Sequence, residues 1–374
     1  MTTTFITENL PDFVNISIPK SSLPYTIYNL SDKFDSESNT NDNIYNYRSV
    51  IVGDGKILCM APSKSVSIEK FKQLVGDNNS SIKYEEFVEG TMINLFWDDR
   101  VGWEIATRKS IGCNYFYFRN QYDGIDGGEQ KTFKQMFLDA FGANSIDDIQ
   151  ALALLDKSCC YTFVVQHPLN HIVLNITSPT IYLVHSYKFD GMNYQYCENQ
   201  NPDLCNYGIK FPEKVNIISD SDDRSNYFVD PSSAGIMITH LTSGLRTVIR
   251  NPHYEELKTL RGNNPNLFYQ YLMLRKKNEC DKFLQYFPQY SKHFIHFQSK
   301  FTEFVTTIYQ IYVDIHILKI KNTKSIPKVF LYFVEKLHYT VYLPSLKTTK
   351  VKITTAVIEK LLDSDEYMMP MKPM

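Results

Sequence analysis

Two hydrophobic periods divide this chain. Up to residue 250 apolar residues come in short runs that alternate with polar ones, and beyond residue 254 they recur at spacings of three and four. Period two predicts strands, and a period near 3.6 predicts amphipathic helices. Residues 48–52 and 56–60 therefore read as two strands, joined by the turn sequence Gly53-Asp54-Gly55. Residues 68–75 read as a helix ended by Gly76. Residues 86–97 and 103–107 read as a hairpin that turns over 98–102. Residues 131–141 and 146–155 read as helices, and 161–165, 172–174 and 180–187 as β-rich stretches. Residues 236–239 and 246–250 are the last strands, turning at Thr242-Ser243-Gly244.

The last third carries the strongest pattern. Tyr290, Phe294, Phe297, Phe301, Phe304, Ile308, Ile311, Ile315 and Leu318 form one apolar stripe on a long helix that starts after Pro288. The stripe suits the core of a helical domain, and a partner-binding face is the alternative. Residues 1–46 are polar, and 189–233 are rich in Asn, Asp, Ser and Pro, so both read as irregular. The expected organisation is a polar, partly disordered segment 1–44, an α+β domain 45–262 of antiparallel sheets with flanking helices, and an all-helical domain 263–374.

Composition narrows the class. Apolar residues make up 43% and charged residues 21% of 374 positions, which describes a folded chain with a sizeable core. No stretch approaches the length of a membrane span, and the first residues lack the basic and apolar regions of a secretion signal, so no membrane partner is expected. Seven cysteines without a Cys-x-x-Cys pair point to a reducing compartment, and the expected location is the cytoplasm or a viral factory within it.

Charge is unevenly spread. Residues 1–240 hold 19 Lys+Arg against 30 Asp+Glu, a balance of −11, and residues 241–374 hold 20 against 11, a balance of +9. A basic third points to a polyanion partner, with RNA foremost, and a solvated or domain-docking face is the plainer alternative.

Several segments carry recognisable chemistry in order. Phe87-Val88-Glu89-Gly90 is followed by Thr107-Arg108-Lys109-Ser110, then by Phe163-Val164-Val165-Gln166-His167-Pro168-Leu169-Asn170-His171, then by Ala234-Gly235-Ile236 and by Thr247-Val248-Ile249-Arg250. Over roughly 180 residues this series resembles the nucleotidyltransferase domain of phage-type RNA ligases, and in particular ligase-like proteins of large DNA viruses. In such covalent nucleotidyltransferases, which include DNA ligases and mRNA capping enzymes, a Lys-x-Asp-Gly lysine attacks the α-phosphate of a nucleotide.

What the resemblance implies is a scaffold without its reactive groups. Phe87 stands at the nucleophile position, Val164 and Ala234 at acid positions, and Val248 at a lysine position; His171 and Arg250 replace an arginine and a lysine. Carboxylates and lysines there would hold metal, ribose and phosphates during transfer. Lys83 lies roughly 13 Å along the strand from Phe87 at about 3.3 Å per residue, too far to substitute. The nucleotide pocket is expected to comprise Phe87, Glu89, Gly90, Arg108, Lys109, His171 and Arg250, and the RNA contacts Arg48, Lys64, Arg246, Lys258 and Arg261. No catalytic residue and no metal ligand is assigned: His167 and His171 are four apart, but Pro168 between them excludes a helical pair. Trp97 and Trp103 read as packing residues, with base stacking as the alternative.

Three functions remain open on the sequence. The first is an inactive ligase-like protein that binds RNA, an mRNA 5′ end being one concrete form. The second is an active ATP-dependent RNA ligase with another nucleophile, which alone would require ATP and Mg. The third is a structural subunit that binds protein through its helical domain.

Overall fold

The computed structural model describes residues 3–8, 10–31, 34, 42–76, 81–116, 131–170, 172–198, 201–215, 233–264 and 266–364. These fall into two compact units, the first running to residue 261 and the second starting at residue 262. His171 of the expected pocket lies outside the described residues.

In chain order the strands are β1 (Thr3–Thr4), β2 (Val14–Ser17), β3 (Thr26–Leu30), β4 (Val50–Gly53), β5 (Lys56–Met60), β6 (Ile82–Glu86) and β7 (Thr91–Asp98). They continue with β8 (Gly102–Ala106), β9 (Cys159–Gln166), β10 (Thr180–Asp190), β11 (Asn193–Cys197), β12 (Ile209–Lys210), β13 (Gly235–His240) and β14 (Arg246–Arg250). The first unit also holds helices α1 (Ile68–Val75), α2 (Phe133–Phe141) and α3 (Pro252–Arg261).

Among the described residues these strands form three sheets. A large one runs β1-β11-β10-β9-β7-β8 with β12 parallel to β10, a three-stranded one runs β14-β13-β6, and a four-stranded one runs β2-β3-β4-β5. All their other pairings are antiparallel. The large sheet buries both faces. Ile93, Leu95, Tyr161, Phe163 and Leu183 pack with Phe137 of α2 on one side. Phe96, Cys160, Tyr187 and Tyr194 join Ile27, Val50 and Ile57 of the four-stranded sheet on the other. Burial on two sides explains why β9 reads as a near-continuous apolar run rather than an alternation.

Residues 14–17 and 26–30 depart from the irregular N-terminal segment expected for 1–44. Ile27 and Leu30 of β3 are buried, and β3 pairs with β4 through Ile27 opposite Ile51. The surrounding Ser and Asn residues masked a short inward alternation. The stretch 189–233 likewise contains β11, β12 and a 3₁₀ turn at Pro202–Tyr207. Strand 86–97 is in fact two strands in two sheets, because β6 ends at Glu86 and β7 begins at Thr91. Residues 172–174 are not a strand; their amides serve a carboxylate instead, as shown below.

The second unit contains α4 (Leu267–Lys276), α5 (Cys280–Tyr286), α6 (Ser291–Tyr312), α7 (Lys328–Lys336), α8 (Leu343–Ser345) and α9 (Thr355–Leu362). The apolar stripe of α6 packs as the spacing predicts: Phe294, Phe297, Phe301, Phe304, Ile308 and Ile311 are buried. Leu318, the last residue of the stripe, is exposed. Arg275 of α4 lies 3.9 Å over the Phe301 ring and pairs with Glu359 and Asp363 at α9, which ties three helices together.

Candidate functional site

The site is built where the chain crosses from one sheet to another, between Glu86 and Thr91. The Phe87 amide donates to the Gly235 carbonyl at 2.8 Å, which extends the β6–β13 pairing by one residue. Gly90 then turns the chain with φ of 153°, and a Cβ there would sit 2.5 Å from the Val165 carbonyl oxygen. Gly235 has φ of 149°, and a Cβ there would lie 2.4 Å from the Ile249 carbonyl oxygen. Both positions require glycine for conformation and for close backbone approach. These are the two glycines of the motif series.

Register fixes what faces the space between the sheets. In the three-stranded sheet Thr239 stands opposite Lys83 and Arg246, Met237 opposite Glu85 and Val248, and Gly235 opposite Arg250. These rows share one face, because alternate residues of a strand point the same way. On the large sheet Thr162 stands opposite both Asn94 and His185, making a polar row across three strands. His185 feels the charges of Arg246 and Lys83, so the two rows approach each other. The Thr162 hydroxyl donates to Asn94 Oδ1 at 2.8 Å, while Asn94 Nδ2 and His185 Nε2 are buried with no protein partner. Burial, then the two cations, holds the His185 imidazole well below its ordinary pKa, so it is neutral.

Phe87 is half-buried and lies under an arginine. The guanidinium of Arg250 is 4.4 Å from the centre of its ring, and Arg250 Nε is 2.7 Å from Glu255 Oε1. Arg250 Nη1 is buried without a hydrogen-bond partner. The arginine is thus held over the aromatic ring by one carboxylate, with one donor left unused.

Glu89 is committed to the backbone. Its carboxylate accepts from the amides of Ile172, Val173 and Leu174 at 3.0–3.1 Å. Tyr254 lies near it, and burial followed by the Glu89 charge pushes that phenol upward. A carboxylate filled by peptide N–H groups has little capacity left for a ribose or a metal.

Arginines gather at the other end of this face. Arg246 is buried, with Nε and Nη2 donating to the Ser63 carbonyl at 3.2 and 2.8 Å. Burial and then Arg48 lower its pKa to about 9. Burial and then Arg108 lower that of half-buried Arg48 to about 10. Arg48 thus lies within electrostatic range of both other arginines, and such like-charge proximity costs stability that a bound anion would offset.

The other expected contacts are engaged elsewhere. Lys64 Nζ donates to the Phe34 carbonyl and lies over that ring. Lys258 pairs with Glu255 at 3.4 Å, and Arg261 is buried at the end of α3. Lys109 is exposed in the turn after β8. His167 is a structural residue: its Nε2 meets Asp139 at 3.1 Å, and its Nδ1 accepts the Leu169 amide across the turn Pro168–Asn170. Trp97 and Trp103 pack edge to face at 5.5 Å across the β7–β8 hairpin. Among the described residues no group of three or more metal-ligating side chains exists.

Lys83 Nζ lies 2.6 Å from Glu85 and 3.6 Å from Glu198. Beside it a cavity of about 250 Å³ is bounded by Lys83, Glu85, His185, Tyr196, Glu198 and Lys214. Asn94, Thr162 and His185 were not singled out by motif reading. The signal was present all the same: each is a polar residue inside an apolar strand run.

No family model and no curated protein matches the chain. Among solved structures it is similar to a Naegleria gruberi RNA ligase mutant with ATP and Mn, at 11% identity and a TM-score of 0.37, over 52% of this chain and 57% of that one. It is also similar to a protein from Aquifex aeolicus described as an ATP-dependent DNA ligase, at 11% identity and a TM-score of 0.39, over 87% and 77% of the two chains. An archaeal ATP-dependent RNA ligase follows at 9% identity and a TM-score of 0.37, over 77% and 68%. The chain spans little more than half the length of the Naegleria ligase.

Proposed function

We propose that this protein grips the 5′-terminal nucleotide of an RNA and does not transfer it, in the manner of a ligase-like protein of a large DNA virus acting in the cytoplasm. The observation that carries this reading is the Arg250–Phe87 stack at 4.4 Å. Where the resembled family places its attacking amine, this chain has an aromatic ring covered by a guanidinium. A phenyl ring has no lone pair for phosphorus, and Lys83 spends its ammonium on Glu85 at 2.6 Å. The binding half of the chemistry persists. Arg48 and Arg246 supply positive potential that awaits an anion, Arg250 keeps a free donor, and Asn94 and His185 offer unpartnered polar atoms. With Val248 in place of a lysine, the arrangement favours a terminal nucleotide of RNA over a free triphosphate.

The test pairs two measurements on the full chain. Incubation with labelled ATP and GTP, followed by denaturing separation, is expected to give no covalent label. Titration with capped RNA, 5′-triphosphate RNA and ATP is expected to give tighter binding of an RNA than of ATP. A stable label lost on mutating one lysine would establish an active transferase. Absence of RNA binding would favour a structural subunit.

A further inference from the structure

The second unit brings the ends of two long helical runs together. α6 continues as a π-helical turn over Val313–Ile317, and α7 continues as another over Leu337–Tyr342 before α8. The two turns meet through their histidines: the rings of His316 and His338 stack at 3.8 Å with 7° between planes. The Tyr312 hydroxyl lies 3.3 Å from His338 Nδ1.

Past this junction both segments expose large apolar side chains. Ile317, Leu318 and Ile320 are 62%, 55% and 69% exposed, and Tyr339, Leu343 and Leu346 are 63%, 39% and 42% exposed. Single exposed apolar residues are ordinary, but five aliphatics and a tyrosine on two segments joined by one ring stack make an apolar surface that suits a partner. The patch is set in positive charge. Residues 317–352 contain eight lysines and one acidic residue, Glu335. Lys319 and Lys324 are exposed on the first segment, and Lys347 and Lys350 on the second.

We propose that this patch seats the second unit on an anionic lipid surface. The chemistry discriminates among polyanions. RNA surfaces reward arginine planes and stacking rings, and give nothing to an exposed Ile or Leu. An anionic bilayer rewards both parts of this patch: the aliphatics enter the headgroup–acyl boundary, the lysines meet the phosphates, and a tyrosine suits the interface. The expectation of no membrane partner rests on the lack of a spanning segment. Among the described residues no helix is long and apolar enough to cross a membrane, and an interfacial contact needs none.

The experiment is co-sedimentation of the full chain with vesicles of equal parts phosphatidylserine and phosphatidylcholine, and with vesicles of phosphatidylcholine alone. Binding to the anionic vesicles only is expected. The exposed double variant Ile317→Asp/Ile320→Asp should weaken it on the order of tenfold or more, and Lys319→Glu/Lys324→Glu by about fivefold or more per lysine. Both variants should keep the wild-type thermal unfolding midpoint. The aliphatic variant should also keep its affinity for single-stranded RNA. The proposal is overturned by equal binding to both vesicle types or to neither. It is overturned too by an aliphatic variant that sediments like wild type, or by one that loses RNA affinity, which would make the patch an RNA surface.

Discussion

Arg250 and Phe87 face each other across the β6–β14 face of the three-stranded sheet, guanidinium over ring at 4.4 Å. In the proposed reading the contact couples two departures from the resembled ligase motif. An aromatic stands at the position read as the nucleophile's, and the arginine that stands for a lysine on another strand uses that ring as its seat. Each substitution makes sense of the other: a lysine at 87 would put two cations within a few ångströms.

Phe87→Lys is therefore expected to fail as a restoration. It exchanges a cation–π contact, worth about 0.5–2 kcal/mol, for repulsion between like charges. The variant should unfold at lower denaturant than wild type and should form no labelled adduct with ATP. Equal stability together with a lysyl-nucleotide would show that the pocket is poised for chemistry.

Glu89 is expected to behave as a structural residue. Its buried carboxylate collects the amides of residues 172–174. Charged hydrogen bonds contribute about 1.5–3 kcal/mol each in mutational comparisons, and unsatisfied buried donors add to the cost. Glu89→Ala should destabilise by about 3 kcal/mol or more, with Glu89→Gln intermediate. Urea unfolding checks this. A variant of wild-type stability with reduced RNA affinity would instead make Glu89 a ligand contact.

The two glycines of the crossing were legible in the sequence, but the crossing itself was not. Gly90 and Gly235 were marked by the motif series that carries the resemblance, and the structure gives each a backbone approach that only glycine allows. The β13–β14 hairpin was legible from Thr242-Ser243-Gly244, and α6 from its stripe. What could not be read depends on pairing between distant strands. Nothing local shows that residues 86–97 change sheets, that Glu89 turns to three amides over eighty residues away, or that Arg246 is buried on Ser63. Strand β3 was lost among polar neighbours. The sequence likewise offered Arg246, Lys258 and Arg261 together as RNA contacts, whereas hydrogen bonds, an ion pair and burial separate them.

The two glycines make a sharper stability test. Gly90→Ala would force a Cβ to 2.5 Å from the Val165 oxygen, and Gly235→Ala would force one to 2.4 Å from the Ile249 oxygen. Neither backbone contact can relax by a rotamer change. Each substitution should destabilise by about 2–4 kcal/mol, combining φ strain with overpacking. Gly55→Ala, at a positive φ with open space around it, should cost about 1 kcal/mol. Thermal or chemical unfolding of the three variants would check the order.

Stability should fall on mild acidification, with His185 as a main contributor. Its pKa in the fold is held well below the ordinary imidazole value by burial, Arg246 and Lys83. Between that ordinary value, near 6.5, and the lower folded value, the unfolded chain binds the extra proton. Stability is thus fully present above the unfolded pKa and is lost as pH falls below it. His167 and His240 are shifted the same way by burial. Glu85 and Glu86 are raised by burial and act oppositely, nearer the carboxylate range. Unfolding midpoints measured from about pH 7.5 to about pH 5.5 should decline, and His185→Gln should flatten the decline. An unchanged slope in that variant would show that His185 is not what titrates.

Arg48 gives the clearest separation of binding from folding. It is half-buried, its pKa is lowered to about 10 by burial and Arg108, and it in turn lowers that of Arg246. In the proposed reading, the cost of burying this guanidinium beside other arginines is offset when an RNA phosphate binds. Arg48→Met keeps the aliphatic packing and removes the repulsion. The ligand-free variant is expected to be as stable as wild type or more so. Its RNA affinity should fall by about 1.5–3 kcal/mol if the arginine makes a charged hydrogen bond to phosphate. The slope of log affinity against log salt should become shallower by roughly 0.7, the share of one single-strand phosphate. Wild type, but not the variant, should gain thermal stability when pyrophosphate is added. If Arg48→Met instead unfolds more easily and binds RNA with unchanged affinity and salt slope, the arginine is part of the packing and the phosphate site lies elsewhere.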